Sequence, residues 1–530
     1  MTWKGAGHER SARQPSQVPA RMHRFPARRA GQARPGAHSI PFPPEKQGIA
    51  MKRSIKTLGS LAAAAVSVSA VCLPAAAQSA KDFEELRNEV MRLRNELNEI
   101  KAQKAAVPVA APAASASADA ALNDRLGAVE LRQKDAVVAG DIPGSFRLPG
   151  SDTSLKIYGY VELNAIHDFK GDNSGNDYST FLPYVPLDGS TARRNQTLIH
   201  ARTSRLGIES STPTAYGPLG IKVEGDFNND PRLGNSAAGE SVQTILTQQA
   251  TNSYGFRLRH AYGSFAGFTV GQTWSTFMDV DNAPETVDFN GPIGSTSMRQ
   301  GLIRYTYATP DTGNWTVALE NPDSYAYDAT GSVVKDGLST APDVVLRWDK
   351  GFDWGAASVR AMTQQIKVVN DSVHASKRGY GLAATTLIKM RGGQDALSLG
   401  ATYGEGIGRY FNYIEGAFLD EARNRVLTER VGGLVVGYQY KASDILRFNF
   451  VGGWQRNFNN AYTDFAQANG LGTGRYGINR SMYQLHAGLI YNPAKNVDLG
   501  LEYILGQRKT LTGEKGDLSR LNMLARYTFN

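Results

Sequence analysis

The sequence predicts an all-β protein, a 16-stranded antiparallel transmembrane β-barrel with an N-terminal helical coiled-coil extension. Three observations carry this expectation. From Leu155 onward apolar and polar residues alternate in about sixteen runs, and alternate side chains of a strand face opposite sides of the sheet. Short turns and longer polar loops connect the runs in alternation, as in a barrel with turns on one membrane face and loops on the other. The last run, residues 521–529, puts Leu521, Met523, Ala525, Tyr527 and Phe529 on one face and Asn522, Arg526 and Thr528 on the other.

The front of the chain divides by composition. Residues 1–50 are rich in Arg, Pro and Gly without periodicity, and read as a non-native or disordered upstream extension. At 51–77 a basic start (Lys52, Arg53, Lys56), an apolar run and Ala75-Ala76-Ala77 form a signal peptide with cleavage before Gln78. The chain holds 58 Lys+Arg and 49 Asp+Glu, of which 12 and 2 fall in residues 1–77. That leaves 46 basic and 47 acidic residues, a net charge of −1, so the basic balance of the whole chain does not indicate nucleic acid. The one cysteine, Cys72, lies within the signal segment, which leaves no disulfide framework and no cysteine metal site beyond it. Outside the signal segment no apolar run reaches the roughly 18–20 residues that a membrane-spanning helix needs.

Residues 78–104 carry a heptad. Phe83, Leu86, Val90, Leu93, Leu97 and Ile100 step by 3 and 4 and form an a/d seam, while Glu89–Arg94 and Glu96–Lys101 suit g-to-e pairing between parallel chains. An amphipathic helix packed on its own protein would show the same spacing. Residues 105–153 form an Ala/Pro/Ser-rich linker with a short helical face at Leu122, Leu126 and Val129. The barrel then spans 154–530, its runs beginning near Leu155, Thr197, Leu219, Gly255, Phe268, Met298, Trp315, Asp343, Trp354, Gly379, Ala396, Glu429, Ile445, Tyr476, Val497 and Ser519.

Within those runs parity sorts side chains to lipid or lumen. Arg205, Arg257, Arg259, Arg304, Arg347, Arg360, Arg447, Arg508 and Arg526 fall on the lumen side, whereas an arginine on the lipid face at mid-membrane costs roughly 2–4 kcal/mol. Lys222, Glu224, Asp226, Glu320, Asp498 and Glu502 share that side. The wall therefore reads either as a self-neutralised ladder of ion pairs or as a basic surface for anions. Arg202 and Arg299 fall on the apolar side by the same parity. After the fifth strand, residues 275–297 carry Asp279, Asp281, Glu285 and Asp288, either on an acidic surface loop or on one that folds inward and narrows the lumen. The histidines are scattered and none sits in a G-x-S-x-G or H-E-x-x-H setting, so no catalytic, metal or cofactor site is expected.

Several segments resemble a known group. Ser204-Arg205-Leu206-Gly207-Ile208 is similar to the SRLGF-type segment of general porins, and Leu499-Gly500-Leu501-Glu502-Tyr503 to their penultimate strand. Together with Tyr158-Gly159-Tyr160, Val223-Glu224-Gly225-Asp226-Phe227, Gly406-Ile407-Gly408-Arg409-Tyr410 and the N-terminal heptad, the order of these segments resembles the DcaP-like trimeric outer-membrane porin family from about residue 82 onward. The closing aromatic resembles the assembly signal of bacterial outer-membrane barrels, although here Asn530 follows Phe529. The resemblance implies a homotrimeric, water-filled channel in the outer membrane, a periplasmic coiled coil, and diffusion of small anionic solutes such as dicarboxylates. Outer-membrane lipid and a cell-wall or periplasmic partner of the coiled coil are the other expected partners. A structural or adhesive trimer tethered through its coiled coil is the competing class.

Overall fold

The computed structural model describes residues 91–92, 94–96, 98–99, 123–128, 138–171, 182–187, 195–229, 254–411, 416–474 and 476–529. The seam positions Phe83, Leu86, Val90, Leu93, Leu97 and Ile100 and the expected signal segment lie outside them.

Among the described residues, sixteen strands form one closed antiparallel sheet. They are β1 (Ser154–Lys170), β2 (Gln196–His200, continued by Arg205–Thr212), β3 (Leu219–Asn229), β4 (Gly255–Phe265), β5 (Phe268–Trp274) and β6 (Arg299–Thr309). Then follow β7 (Gly313–Glu320), β8 (Asp343–Phe352), β9 (Gly355–Val369), β10 (His374–Met390) and β11 (Asp395–Glu405). The last five are β12 (Arg430–Ser443), β13 (Leu446–Asn457), β14 (Asn479–Tyr491), β15 (Val497–Thr510) and β16 (Lys515–Phe529). The terminal strand closes the barrel, with Tyr527 opposite Val497 of β15 on one side and Val161 of β1 on the other. Closure leaves no unpaired sheet edge, which a membrane-embedded sheet requires.

The alternation read from sequence becomes an inside and an outside. On β1, Val161 is 61% exposed while its neighbour Glu162 is 2% exposed. The same inversion runs round the barrel, with Leu206, Leu346, Leu382, Val436 and Leu485 bare on the exterior. Contiguous apolar surface of this extent would be unstable in water and suits a lipid face. Exposed aromatics gather at both ends of the strands: Phe265, Phe268, Tyr307, Trp315, Trp354, Tyr491 and Tyr527 toward the short turns, and Phe227, Phe256, Tyr380, Tyr403 and Tyr483 toward the loops. Two such girdles mark the interfaces of a membrane barrel.

The connections depart from strict alternation at two places. Residues 370–373 and 511–514 are tight turns on the side where the other connections are long. The long loops pack on one another at that end. The hairpin Ala417–Asp420/Arg425–Leu427 takes Ala326–Tyr327 as a parallel third strand. The helix α1 (Ala461–Ala468) starts on a capping box in which Asn460 and Thr463 exchange bonds. Phe418, Leu427, Tyr462, Ala466, Ile478 and Leu511 form the apolar core of this cap. At the opposite end a small hairpin, residues 138–139 and 146–147, adds to the start of β1 with Phe146 opposite Leu155.

Candidate functional site

Residues 275–298, between β5 and β6, run inside the barrel. Their backbone is held by polar side chains that strand parity points inward. Glu502 on β15 accepts the Val287 N–H at 3.1 Å and the Asp288 N–H at 2.9 Å. Gln484 on β14 accepts the Ile293 N–H, and Gln455 on β13 accepts the Gly294 N–H. Arg347 on β8 donates to the Met278 carbonyl at 2.6 Å, and Arg360 on β9 to the Phe277 carbonyl at 3.2 Å. A loop deprived of water must bond its backbone elsewhere, and here the wall supplies those partners. Steric room comes from glycine. A Cβ on Gly453 would sit 2.1 Å from the Ile293 carbonyl oxygen, and Gly294 itself has φ +88°.

The loop's base is strapped to the outer loops. Glu320 accepts the Thr276 N–H and a Gln300 N–H, each at 2.6 Å. Gln300 also donates to the Tyr410 hydroxyl, which in turn donates to Asp343. Arg409 pairs with Asp343 at 3.3 Å, and Thr296 forms an isolated bridge with Phe411. The segment around 406–411 thus reaches the base of the inward loop through both side chains and backbone. Sequence parity placed Glu320 inward but gave no sign of this strap, because its members lie on four separate segments.

The acidic residues of the loop are mostly engaged. Glu285 receives a two-pronged pair from Arg447 at 2.7 and 2.8 Å, plus bonds from Gln439 and Asn449. Asp279 is held by Thr385, by Asn282 at 2.7 Å and by Arg347 at 3.4 Å. Asp288 accepts from Asn522 at 3.2 Å, and Asp281 is exposed. Three of the four carboxylates therefore fasten the loop to the wall.

Between loop and wall lies a cavity of about 560 Å³, bordered by Arg205, Arg257, Arg259, Arg299, Arg360 and Arg526 together with Tyr160, Glu162, Trp274 and Phe289. Arg257 forks onto Asp226 at 2.9 and 2.8 Å. Arg259 reaches Glu224 at 3.0 Å and Asp226 at 2.9 Å, Arg205 reaches Glu224 at 3.3 Å, and Arg526 reaches Glu162 at 2.6 Å. Aromatic faces interleave with these cations: Arg526 and Arg205 over Tyr160, Arg259 and Arg299 over Trp274.

Three placements correct the sequence reading. Arg508 is fully buried beneath residues 182–187, where it donates to the Val185 and Pro183 carbonyls, so it braces a loop instead of bordering water. Arg299, expected on the apolar side, borders the cavity, because it lies at the very start of β6 where the inward loop joins. Arg202 is buried against Tyr254 at 4.4 Å, because β2 breaks at residues 201–204 and resumes at Arg205. Arg304 is half-buried on the inner face and does not border the cavity. A further irregularity went unseen: the β3–β4 register shifts between Glu224/His260 and Gly225/Leu258, so the bulge residue Arg259 and its neighbour His260 are both buried. Bulges re-aim side chains in this way, and nothing in the local sequence marks this one.

Comparison with known proteins bears on the whole barrel. A family model described as DcaP outer membrane protein matches residues 119–529. The crystal structure of the outer membrane channel DcaP of Acinetobacter baumannii is 26% identical, with a TM-score of 0.60, covering 74% of this chain and 100% of that one. OmpT of Vibrio cholerae is 12% identical with a TM-score of 0.43, covering 72% of this chain and 99% of its own. An anion-selective porin from Comamonas acidovorans is 15% identical with a TM-score of 0.40, covering 71% and 100%. No curated protein matches the chain. The chain belongs to the DcaP outer membrane protein family, and its barrel is that of an outer-membrane porin.

Proposed function

We propose that this porin passes small anionic solutes, dicarboxylates among them, between the inward loop and the arginine-bearing wall, and that it works as a homotrimer with its heptad region in the periplasm. The observation that carries the reading is the border of the cavity. Six arginines meet there, while the loop's Glu285, Asp279 and Asp288 are bound to partners on the wall. Off the loop, these arginines face one bordering carboxylate, Glu162, and an excess of one sign of charge between low-dielectric walls concentrates ions of the opposite sign. Arginine also suits the cargo, since its planar fork gives a carboxylate two parallel charge-assisted bonds. The a/d seam at residues 83–100 supports the trimer.

Liposome swelling with the purified protein tests the transport reading. Succinate should enter faster than an uncharged solute of similar size, and faster than a diamine of similar length. Equal rates for all three would leave a general pore without charge preference, and the anionic reading would fall.

A further inference from the structure

Resting on the reading of this opening as an anion path, we propose that Arg299, stacked on Trp274, is a specificity-determining residue: the guanidinium that a passing carboxylate contacts directly. The charge inventory of the cavity points to it. On the side formed by β1 to β6 and β16, five guanidiniums gather, those of Arg205, Arg257, Arg259, Arg299 and Arg526. Three carboxylates answer them, Glu162, Glu224 and Asp226. Every one of the other four arginines has a carboxylate within 3.3 Å. Arg299 has none among the described residues, and its Nη1 is buried with no hydrogen-bond partner.

What Arg299 does have is an aromatic support. Its guanidinium carbon lies 4.5 Å from the centroid of the Trp274 ring, and the two residues face each other across β5 and β6. Stacking holds the guanidinium plane and leaves its edge donors for another partner. Arg299 is half-buried, a guanidinium short of an acceptor is costly, and a carboxylate arriving in the cavity supplies one to its accessible donors. The loop carboxylates that also border the cavity are held elsewhere, Asp279 by Thr385 and Asn282, Glu285 by Arg447 and Asp288 by Asn522. Arg304 also lacks an ion-pair partner among the described residues, but it does not border the cavity.

The test uses the full-length porin in planar bilayers, with Arg299→Gln and Arg299→Lys beside the wild type and mobility on unheated gels as the check of folding. Sodium succinate is the probe, read as concentration-dependent block of the KCl current, together with the reversal potential. Arg299→Gln should lower the anion-to-cation permeability ratio about twofold or more, the effect of removing one screened charge beside the path. It should also weaken succinate block about tenfold, the equivalent of one charge-assisted hydrogen bond. Arg299→Lys should keep the permeability ratio and lose part of the block, since a point charge replaces a fork. An Arg299→Gln channel with wild-type ratio and wild-type block overturns the assignment while an anion-selective wild type leaves the path itself intact. A cation-selective wild type overturns the path first. If the Gln variant fails to fold, the Lys variant decides, and unchanged succinate block in it overturns the proposal.

Discussion

Glu502 illustrates how one side chain can hold a loop inside a barrel. Fully buried on β15, it accepts two consecutive loop N–H groups and lies 3.2 Å from His486 Nδ1. Glu502→Ala should strand both N–H groups, at about 1–3 kcal/mol each. The loop should then leave the wall part of the time, and single-channel records should show added conductance substates; a steady wild-type level would mean that the remaining anchors suffice. Gly453→Ala attacks the same fit from the other side, since its methyl would meet the Ile293 carbonyl. It should displace the loop and raise the mean conductance, and an unchanged conductance would show that the loop has slack there. Residue by residue, sequence parity assigns an arginine to a face and says nothing of its partners. Arg257 and Arg508 look alike in alternation, yet one borders the cavity and the other is sealed beneath residues 182–187. The difference arises from loops that return from far along the chain, which a period of two cannot register.

At the scale of elements, the strands were legible because each must satisfy lipid and lumen at once. Their interruptions were not. The bulge at Arg259 and the break in β2 each shift the count along a strand, and alternation carries no marker for an extra residue. Loop length was legible from composition, but loop destination was less so: the acidic residues 279–288 also suit a surface loop, and their partners lie far along the chain on β8 to β16. One loop element carries a titratable device. Glu429, just before β12, is fully buried, and burial pushes its carboxyl up to about 8, against partial relief from nearby backbone N–H groups of Glu429, Gly408 and Ile407. A pKa raised above the unfolded value favours the protonated, folded form. The stabilisation is complete below the ordinary value of 4.5 and is lost as pH rises through about 8. Residues 416–429 should therefore loosen in alkali, and Glu429→Gln should remove the effect. Tryptic cleavage at the exposed Arg423, compared between wild type and variant at each pH from 6 to 9, should diverge near pH 8. Parallel curves across that range would show that the carboxyl does not govern the loop.

For the whole molecule, barrel closure and the apolar exterior suit an outer-membrane porin, and the proposed transport depends on the inward loop. Wall charges act over a Debye length of about 8 Å at physiological salt, so they select solutes only where the path is narrow. On the proposed reading, the loop supplies that narrowing beside the arginines of the cavity. Deleting residues 83–101 should leave a trimeric pore, because a heptad of this length is marginal alone and barrel contacts should supply most of the association; a monomer by native mass would reverse that hierarchy. The most direct test of the central claim is the reversal potential under a KCl gradient, wild type beside the Arg257→Ala/Arg259→Ala double variant. Those two arginines both hold Asp226, so their removal subtracts two positive charges and bares Asp226, while Glu224 keeps Arg205. The wild type should be anion-selective and the variant shifted toward cations, with both channels folded by gel mobility. A cation-selective wild type, or a folded variant with unchanged reversal potential, would contradict it.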